Sequence, residues 1–321
     1  MSDKTPRIPV KVTEVVEVTP LIKRFRFEAV DGGPLPSFAG GAHVVVEMLD
    51  GDLPRRNAYS LMSPPSETSH YTISVRRDEV GRGGSRYLHD HIRQGMILHL
   101  SHPVNLFPIE QRARKHLLIA GGIGITPFLA IIEQLHRDHK PFELHYAFRS
   151  RTHAAYADDL VAAHGSRIHL YHDDRGEKID PSWLFAQQPL GTHLYVCGPG
   201  PMIEWILGSA RGMGWPEQNL HHERFIAPAI GTPYEVKLAR SELTVRVGSH
   251  QSMLEAIEAA GVDAPYMCRG GACGQCETKV LACDGRLLHH DHFLSEAEKA
   301  SGGKVMPCVS RFEGAALVLD I

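Results

Sequence analysis

The sequence lacks several features that define large classes of proteins. No apolar run reaches the ~18–20 residues that a membrane-spanning helix needs, and the start, from Met1 to Lys4, lacks the apolar core of a signal peptide. The formal net charge is only −3, so the chain has neither a basic field for nucleic acid nor a polyanionic tail. We therefore expect a cytoplasmic protein that binds neither membrane nor nucleic acid.

Cysteine is also scarce, and it is unevenly placed. Four of the six cysteines follow the spacing Cys268-x4-Cys273-x2-Cys276, with Cys308 later in the chain. This is the ligand spacing of a plant-type [2Fe–2S] cluster, in which soft thiolates hold two irons. A structural zinc site usually takes paired C-x2-C knuckles and the second is absent here, while reduced core cysteines are the other alternative. The pattern predicts an iron–sulfur site in a reducing compartment. Two cysteines lie outside it: Cys197 and Cys283.

At 321 residues the chain has room for two or three domains, and the period of its apolar residues changes along it. Residues 1–110 alternate in short runs, which predicts a small antiparallel β-barrel. Its predicted strands are 11–18, 23–28, 43–48 and 71–77, and a helix is predicted over 85–93. Residues 111–226 alternate between strands and helices, which predicts a parallel α/β sheet with covered faces. The predicted strands there are 116–120, 143–148, 168–172 and 193–197, and the predicted helices are 127–138, 155–164 and 201–213.

Residues 227–233 are rich in proline and glycine and almost uncharged, as in an interdomain linker. Residues 234–321 begin with a predicted hairpin, 234–239 and 243–247, and a helix over 252–260. With two short strands, near Lys279 and over 317–320, they are predicted to form a small β-grasp domain around the cysteines.

Two glycine-rich turns predict a nucleotide site. The run Gly121-Gly122-Ile123-Gly124-Ile125-Thr126 follows a predicted strand and opens a helix, so its N–H groups and the helix dipole can hold a pyrophosphate. Tight packing also selects glycine at such turns. A second turn, Cys197-Gly198-Pro199, ends a later strand, and two such turns at the carboxyl edge of one parallel sheet make a nucleotide crevice. We expect a pyridine nucleotide there.

A third motif joins Arg55-Arg56-Asn57-Ala58-Tyr59-Ser60-Leu61 to Gly81-Arg82-Gly83-Gly84-Ser85. An aromatic ring can stack on an isoalloxazine, and a hydroxyl can hydrogen-bond its N5 edge. The arginine, the glycine N–H groups and a serine at a helix start can hold a terminal phosphate. An edge strand followed by a flexible hairpin would give the same residues, so this segment alone leaves both interpretations open.

Together these motifs resemble the phthalate dioxygenase reductase family, within the ferredoxin–NADP⁺ reductase-like superfamily. The resemblance covers essentially the whole chain, and Glu223-Arg224-Phe225 fits it as well. It implies the domain order flavin barrel, nucleotide domain and ferredoxin, with FMN and usually NADH as cofactors. It also implies that the chain is the reductase component of a two-component oxygenase.

The resemblance implies roles for individual residues. Those expected at the point of hydride transfer are Ser60, near the flavin N5, Phe225, which would cover the ring where nicotinamide enters, and Cys197. The flavin ring would contact Tyr59, Ser60, Leu61, Val75 and Arg76, and its phosphate Arg82, Gly83, Gly84 and Ser85. The nucleotide crevice would be lined by Gly121, Gly122, Thr126, Cys197 and Gly198.

One position departs from the family. Where the family usually reads Arg-x-Tyr-Ser, Asn57 holds the arginine position and Arg56 precedes it. Both are kept as candidates for the flavin phosphate. The run Asn57-Ala-Tyr-Ser-Leu-Met62 looks closer to the branch that serves carnitine monooxygenase and similar N-methyl-ammonium oxygenases than to vanillate demethylase reductases.

Two further segments each allow two interpretations. The run His289-His290-Asp291-His292 has a metal-like composition, but contiguous histidines on one loop seldom close a coordination shell, so we expect a solvated loop near the cluster. Arg149-Ser150-Arg151 is either a 2′-phosphate site or simple surface charge. Asp173 and Asp174, which end the next strand, suit a phosphate poorly, so NADH is expected over NADPH.

The resulting hypothesis is an electron relay from NADH through FMN to the cluster, since a flavin can accept a hydride and release electrons singly. The chain has no C-x-H…C-x2-H ligands of its own for a Rieske centre. The electrons are therefore expected to leave for a Rieske-type oxygenase that docks transiently at the ferredoxin domain. Two alternatives stay open: a redox sensor without multiple turnover, and a reductase of a small acceptor such as a quinone or a ferric chelate.

Overall fold

The computed structural model describes residues 7–50, 53–226 and 229–321, and three sheets follow one another along the chain. The first sheet is antiparallel. Its elements are β1 (Arg7–Thr19), β2 (Ile22–Ala29), β3 (Ala42–Asp50), β4 (Leu53–Ser60), β5 (Tyr71–Arg76), α1 (Gly84–His91), β6 (Ile97–Ser101) and β7 (Val104–Asn105). The strand order is β4-β3-β6-β1-β2-β5, with β7 beside β3.

Alternation along these strands buries one face of the first sheet. Val10 and Val12 of β1 and Phe25 and Phe27 of β2 are completely buried, because every second side chain of a strand points to the same face. The two strands at the ends of the order, β4 and β5, contact each other. These are the strands that carry the predicted flavin residues.

The second sheet is parallel throughout. Its elements are β8 (Lys115–Gly121), α2 (Thr126–Arg137), β9 (Phe142–Phe148), α3 (Ala157–His164), β10 (Ile168–His172), α4 (Pro181–Ala186), β11 (Thr192–Cys197), α5 (Gly200–Gly212) and β12 (Leu220–Glu223). The order is β10-β9-β8-β11-β12. After β8, the next two strands of the chain, β9 and β10, add on one side of it, and β11 and β12 add on its other side. The direction of winding changes between β8 and β11, which is where open α/β sheets bind ligands.

The third sheet is mixed, and it holds the four-cysteine segment. Its elements are β13 (Tyr234–Leu238), β14 (Leu243–Val247), α6 (Met253–Ala259), β15 (Thr278–Leu288), α7 (Glu296–Ser301), β16 (Lys304–Val305) and β17 (Arg311–Leu319). The order is β14-β13-β17-β15-β16, with β13 and β17 parallel. A capping box starts α6: Ser252 accepts the Glu255 N–H and the Glu255 carboxylate accepts the Ser252 N–H.

The predicted fold class is confirmed: an antiparallel sheet, a parallel α/β sheet and a C-terminal mixed sheet that holds the four-cysteine segment follow in that order. The predicted extent of the last strands is wrong, because β15 has 11 residues and β17 has 9. These two strands form a mostly exposed ribbon, so their sequence carries little apolar alternation.

The segment predicted as a linker is held by Arg311. Residues 227 and 228 lie outside the described part of the chain, whereas the buried Arg311 guanidinium donates to the carbonyls of Ala229 (3.3 Å) and Thr232 (2.9 Å). This side chain therefore ties the end of the linker to the third sheet. Among the described residues no helix is long and apolar enough to cross a membrane.

Candidate functional site

The nucleotide crevice lies where β8 and β11 end side by side. Gly124 comes so close to β11 that a Cβ there would lie 2.3 Å from the Cys197 carbonyl oxygen, and a Cβ on Gly121 would lie 2.6 Å from Met202 Sδ. The positions therefore need glycine for packing. The start of α2 opens on this edge through a 3₁₀ turn, and α5 starts after Pro199 with no side-chain cap, so the positive ends of two helix dipoles lie at the crevice.

Other predicted nucleotide residues occupy the same edge. Thr126 is buried and its hydroxyl donates to the Ile123 carbonyl (3.0 Å), which orders the turn. Gly122 adopts a φ of 55°, which suits glycine. Gly198 lies against Gly121, since a Cβ added to Gly198 would lie only 3.0 Å from the Gly121 Cα. The structure thus brings together all the residues predicted for this crevice.

The end of β4 meets the crevice at a buried carboxyl that the sequence interpretation did not assign. Glu223 pairs with Cys197 across β12 and β11, and its Oε2 is buried without a hydrogen bond. Burial raises the pKa of Glu223 to about 8. The nearby Ser60 hydroxyl acts in the opposite direction, because it lowers this pKa, but its effect is the smaller one. Burial and the Glu223 charge also raise the pKa of the Cys197 thiol. Ser60, Cys197 and Glu223 thus form one site, which only tertiary contacts could reveal.

A cradle for a phosphate forms at the start of α1. Gly83 has a φ of 99°, and α1 has no side-chain cap, which leaves the first N–H groups free for an anion. A Cβ added to Gly83 would lie 3.3 Å from the Arg55 guanidinium. A Cβ added to Gly84 would lie 2.7 Å from the Asn57 side-chain amide. Side chains larger than hydrogen at these two positions would fill the cradle.

The floor beside this cradle suits a flavin ring. Tyr59 Oη and Ser60 Oγ are both buried without a hydrogen-bond partner, and burial raises the pKa of the Tyr59 phenol. Leu61 and Val75 are fully buried beneath them, whereas Arg76 is exposed. Orphaned buried hydroxyls next to an anion cradle are what a flavin mononucleotide would satisfy, so the residues present fit FMN.

Two arginines predicted for the flavin phosphate already pair with carboxylates, and of these Arg82 lines the cradle. The Arg56 guanidinium lies on the opposite face of β4 from Asn57 and pairs with Glu47 at 2.5 Å and Glu258 at 3.0 Å. Arg82 pairs with Glu255 at 2.6 Å. Ser85 Oγ accepts the Asp78 N–H at 3.1 Å. Arg55, which the predicted site did not include, also lies at the cradle, where its guanidinium donates to the Arg82 carbonyl.

The four cysteines of the predicted cluster lie together in two pairs. Cys276 Sγ is 3.3 Å from Cys308 Sγ, and Cys268 contacts Cys273. The Cys273 thiol and the N–H groups of Ala272 and Gly270 lower the pKa of Cys268, with burial opposing them. Two thiol pairs side by side fit a binuclear cluster, one pair for each iron. Cys273 alone of the four is partly exposed, and Cys283 lies exposed on β15.

Phe225 and the histidine loop lie near these centres. Phe225 follows β12 and is half-exposed, so its covering of the flavin ring stays a prediction. The histidine segment is only in part the solvated loop that was expected, since His290 and His292 are exposed and Asp291 is buried. Asp291 is 2 % exposed and accepts the Leu294 N–H at 2.8 Å, so this carboxylate holds the loop in the domain, with His289 Nδ1 at 3.6 Å from it.

Comparison with known proteins gives matches along the whole chain. Residues 236–313 match the 2Fe-2S iron-sulfur cluster binding domain, and residues 100–220 match the N-terminal domain of dimethylamine monooxygenase subunit DmmA-like proteins. The chain is 45% identical to the heme-dependent oxidative N-demethylase beta subunit of Ectopseudomonas mendocina, over 98% of this chain and 99% of that protein. It is 44% identical to the carnitine monooxygenase reductase subunit of Acinetobacter baumannii, over 98% of each.

A solved structure shares the fold over nearly the full length. Phthalate dioxygenase reductase, described as a modular structure for electron transfer from pyridine nucleotides to [2Fe–2S], superposes with a TM-score of 0.89 at 33% identity. The match covers 99% of this chain and 98% of that one. The order of the three sheets is therefore common to both proteins.

Proposed function

The chain belongs to the phthalate dioxygenase reductase-like family of iron–sulfur flavoprotein oxidoreductases, the reductase subunits of oxygenase systems, and we propose that it carries electrons from NADH through FMN and its [2Fe–2S] cluster to an oxygenase. The observation that carries the proposal is the meeting of Ser60, from the flavin strand, with Glu223 and Cys197 at the mouth of the nucleotide crevice. Hydride donor and acceptor can come together only where those two sites meet.

FMN is the flavin that the cradle favours. When bound, FMN accepts a hydride and gives up the two electrons one at a time. The cradle is a small cavity between domains, lined from the barrel by Arg55, Asn57, Arg82 and Gly84 and from the third domain by His250, Gln251 and Glu255. A flavin that ends in one phosphate suits this closed cradle better than a dinucleotide, whose second half would have to pass those residues.

The residues around the nucleotide crevice favour NADH over NADPH. Arg151, one of the two candidates for a 2′-phosphate, already pairs with Asp158. Asp173 and Asp174 follow β10 with exposed carboxylates that would repel a phosphate. The protein's residues then act by alignment, since hydride transfer needs no acid or base at the moment of transfer.

The partner is an oxygenase, and the exposed side of the cluster loop is where it docks. Cys273 is partly exposed, and the neighbouring Met267 and Phe293 side chains are 39% and 48% exposed. A contact of this kind is small and short-lived, as electron-transfer contacts usually are. Four reduced thiols suit the cytoplasm as the place where the two proteins meet.

Two kinds of iron centre in the partner are candidates. A Rieske-type oxygenase is the first, because the chain supplies the plant-type cluster that would feed such a centre one electron at a time. A heme-dependent oxygenase is the second, favoured by the 45% identity to the subunit of a heme-dependent oxidative N-demethylase. Reconstitution with each partner distinguishes them, since reduction changes either the Soret band of a heme or the electron paramagnetic resonance of a Rieske centre.

An anaerobic titration with NADH tests the relay. The visible spectrum should lose both flavin and iron–sulfur absorbance, and acid should release FMN. Flavin bleaching with an untouched cluster would remove the ferredoxin domain from the electron path. Rapid reduction of cytochrome c over many turnovers would separate the relay from a redox sensor, and a much higher kcat/KM for NADH than for NADPH would support the nucleotide assignment.

A further inference from the structure

Helix α6 of the ferredoxin domain presents two carboxylates to the flavin barrel. Glu255 and Glu258 lie three positions apart, so they project from one side of the helix. Glu255 receives both terminal nitrogens of Arg82, with Nη1–Oε2 at 2.6 Å and Nη2–Oε1 at 3.1 Å. Glu258 Oε2 receives Arg56 Nη1 at 3.0 Å. Two arginines of the barrel are thus held by one helix of another domain.

Both ion pairs are largely shielded from water. The Arg82 and Glu255 side chains are 10% and 7% exposed, and those of Arg56 and Glu258 are 15% and 17% exposed. Paired charges in such a setting are strongly directional, and removal of Glu255 would leave Arg82 without its carboxylate, whereas Arg56 would keep Glu47. These contacts therefore fix a geometry, in contrast to exposed ion pairs, which constrain little.

Glu258 also reaches the cluster loop. Arg269 follows the ligand Cys268 directly, and its Nη1 lies 3.0 Å from Glu258 Oε2. The guanidinium stacks on Tyr266 at 3.8 Å from the ring centre, and only 6% of the side chain is exposed. One carboxylate thus binds an arginine of the cluster loop and Arg56, three residues before Tyr59.

We propose that Glu255 and Glu258 are positioning residues for electron transfer from flavin to cluster. Arg82 begins the phosphate cradle and Arg56 lies on the flavin strand, so α6 connects both flavin-binding segments to the loop that holds the cluster. The step moves one electron and no atom, so its rate depends on distance and orientation, which these ion pairs set. The inference rests on the proposed relay.

The test is Glu258→Gln in the flavin-loaded, cluster-loaded protein. Glu258 is chosen because Glu255 also caps α6, so its replacement would disturb the helix. Stopped-flow spectra after mixing with NADH should show flavin reduction at the rate of the unchanged protein and cluster reduction slowed roughly tenfold or more. Glu313→Gln, which breaks an exposed pair with Arg286 in the same domain, should leave both rates unchanged.

Two further readouts make the outcome decisive. The electron paramagnetic resonance spectrum of the dithionite-reduced cluster should be the same in both proteins, and small-angle X-ray scattering should give a larger radius of gyration for Glu258→Gln. If that variant loses its cluster, Arg56→Gln breaks the same contact from the barrel side and should slow the same step. Unchanged cluster reduction in a loaded variant would overturn the inference, whereas failure of NADH to reduce the flavin in the unchanged protein would overturn the relay itself.

Discussion

At the scale of single residues, Glu223 gives the site a pH dependence. Burial raises its pKa from 4.5 to about 8, so the folded protein binds a proton there that the unfolded chain releases above pH 4.5. The protonated Glu223 carboxyl therefore makes its full contribution to the free energy of unfolding below about pH 4.5. This contribution is lost as the pH rises towards 8.

Replacement of Glu223 by glutamine should remove this loss. Between about pH 5 and 8 the melting temperature of Glu223→Gln should fall less with pH than that of the unchanged protein. Calorimetry across that range measures the difference. Glu217→Gln, which removes an exposed carboxylate paired with Arg211, should follow the unchanged protein. Parallel curves for all three proteins would mean that Glu223 is ionised in the fold.

The cysteines give a second prediction at this scale. In Cys273→Ser, NADH should still reduce the flavin, while cytochrome c reduction should fall by roughly tenfold or more, since even outer contacts of a metal site are worth ~10–100-fold. Cys283→Ser is the matched control, because that thiol is exposed on β15 and outside the ligand spacing. Loss of flavin reduction together with cytochrome c reduction would contradict the linear order of the relay.

At the scale of elements, the parallel sheet was the most predictable part of the chain. The predicted strand 168–172 has the same bounds as Ile168–His172, and 116–120 lies within Lys115–Gly121. The central strand β8 is buried on both faces and appears in the sequence as an apolar run, whereas β10, at the edge of the sheet, keeps one exposed residue. The runs in β8 and β11 also placed the glycine turns at one edge, which is why the nucleotide crevice could be located.

The flavin strand β4 was not predicted as a strand, although its motif was identified. Its arginines and asparagine alternate between two polar environments, the cradle and the third domain, so no apolar period is present. For the same reason the sequence could not decide between Arg56 and Asn57 at the phosphate. That choice depends on Glu258, about two hundred residues away in the chain.

At the scale of the whole molecule, the barrel is the domain that both others contact. The parallel domain reaches it at Ser60 and through a 2.5 Å hydrogen bond between Ser74 and Tyr156, and the ferredoxin domain reaches it through α6. The proposed flavin site thus lies between the nucleotide crevice and the cluster. An arrangement with the flavin in the middle matches the order in which a hydride must become single electrons.

Phe225 follows β12, just after the parallel domain's last strand, and its side chain is 50% exposed. If it covers the flavin ring, the nicotinamide must displace it, and Phe225→Ala should bind NADH and NAD⁺ roughly three- to tenfold more tightly, the scale of one aromatic contact. FMN content should not change, because the cradle lies elsewhere. Spectral titration with NAD⁺ and the KM for NADH measure the effect. Phe293→Ala, at the exposed cluster loop, should leave both constants unaltered, and unaltered constants in Phe225→Ala as well would place the nicotinamide away from this ring.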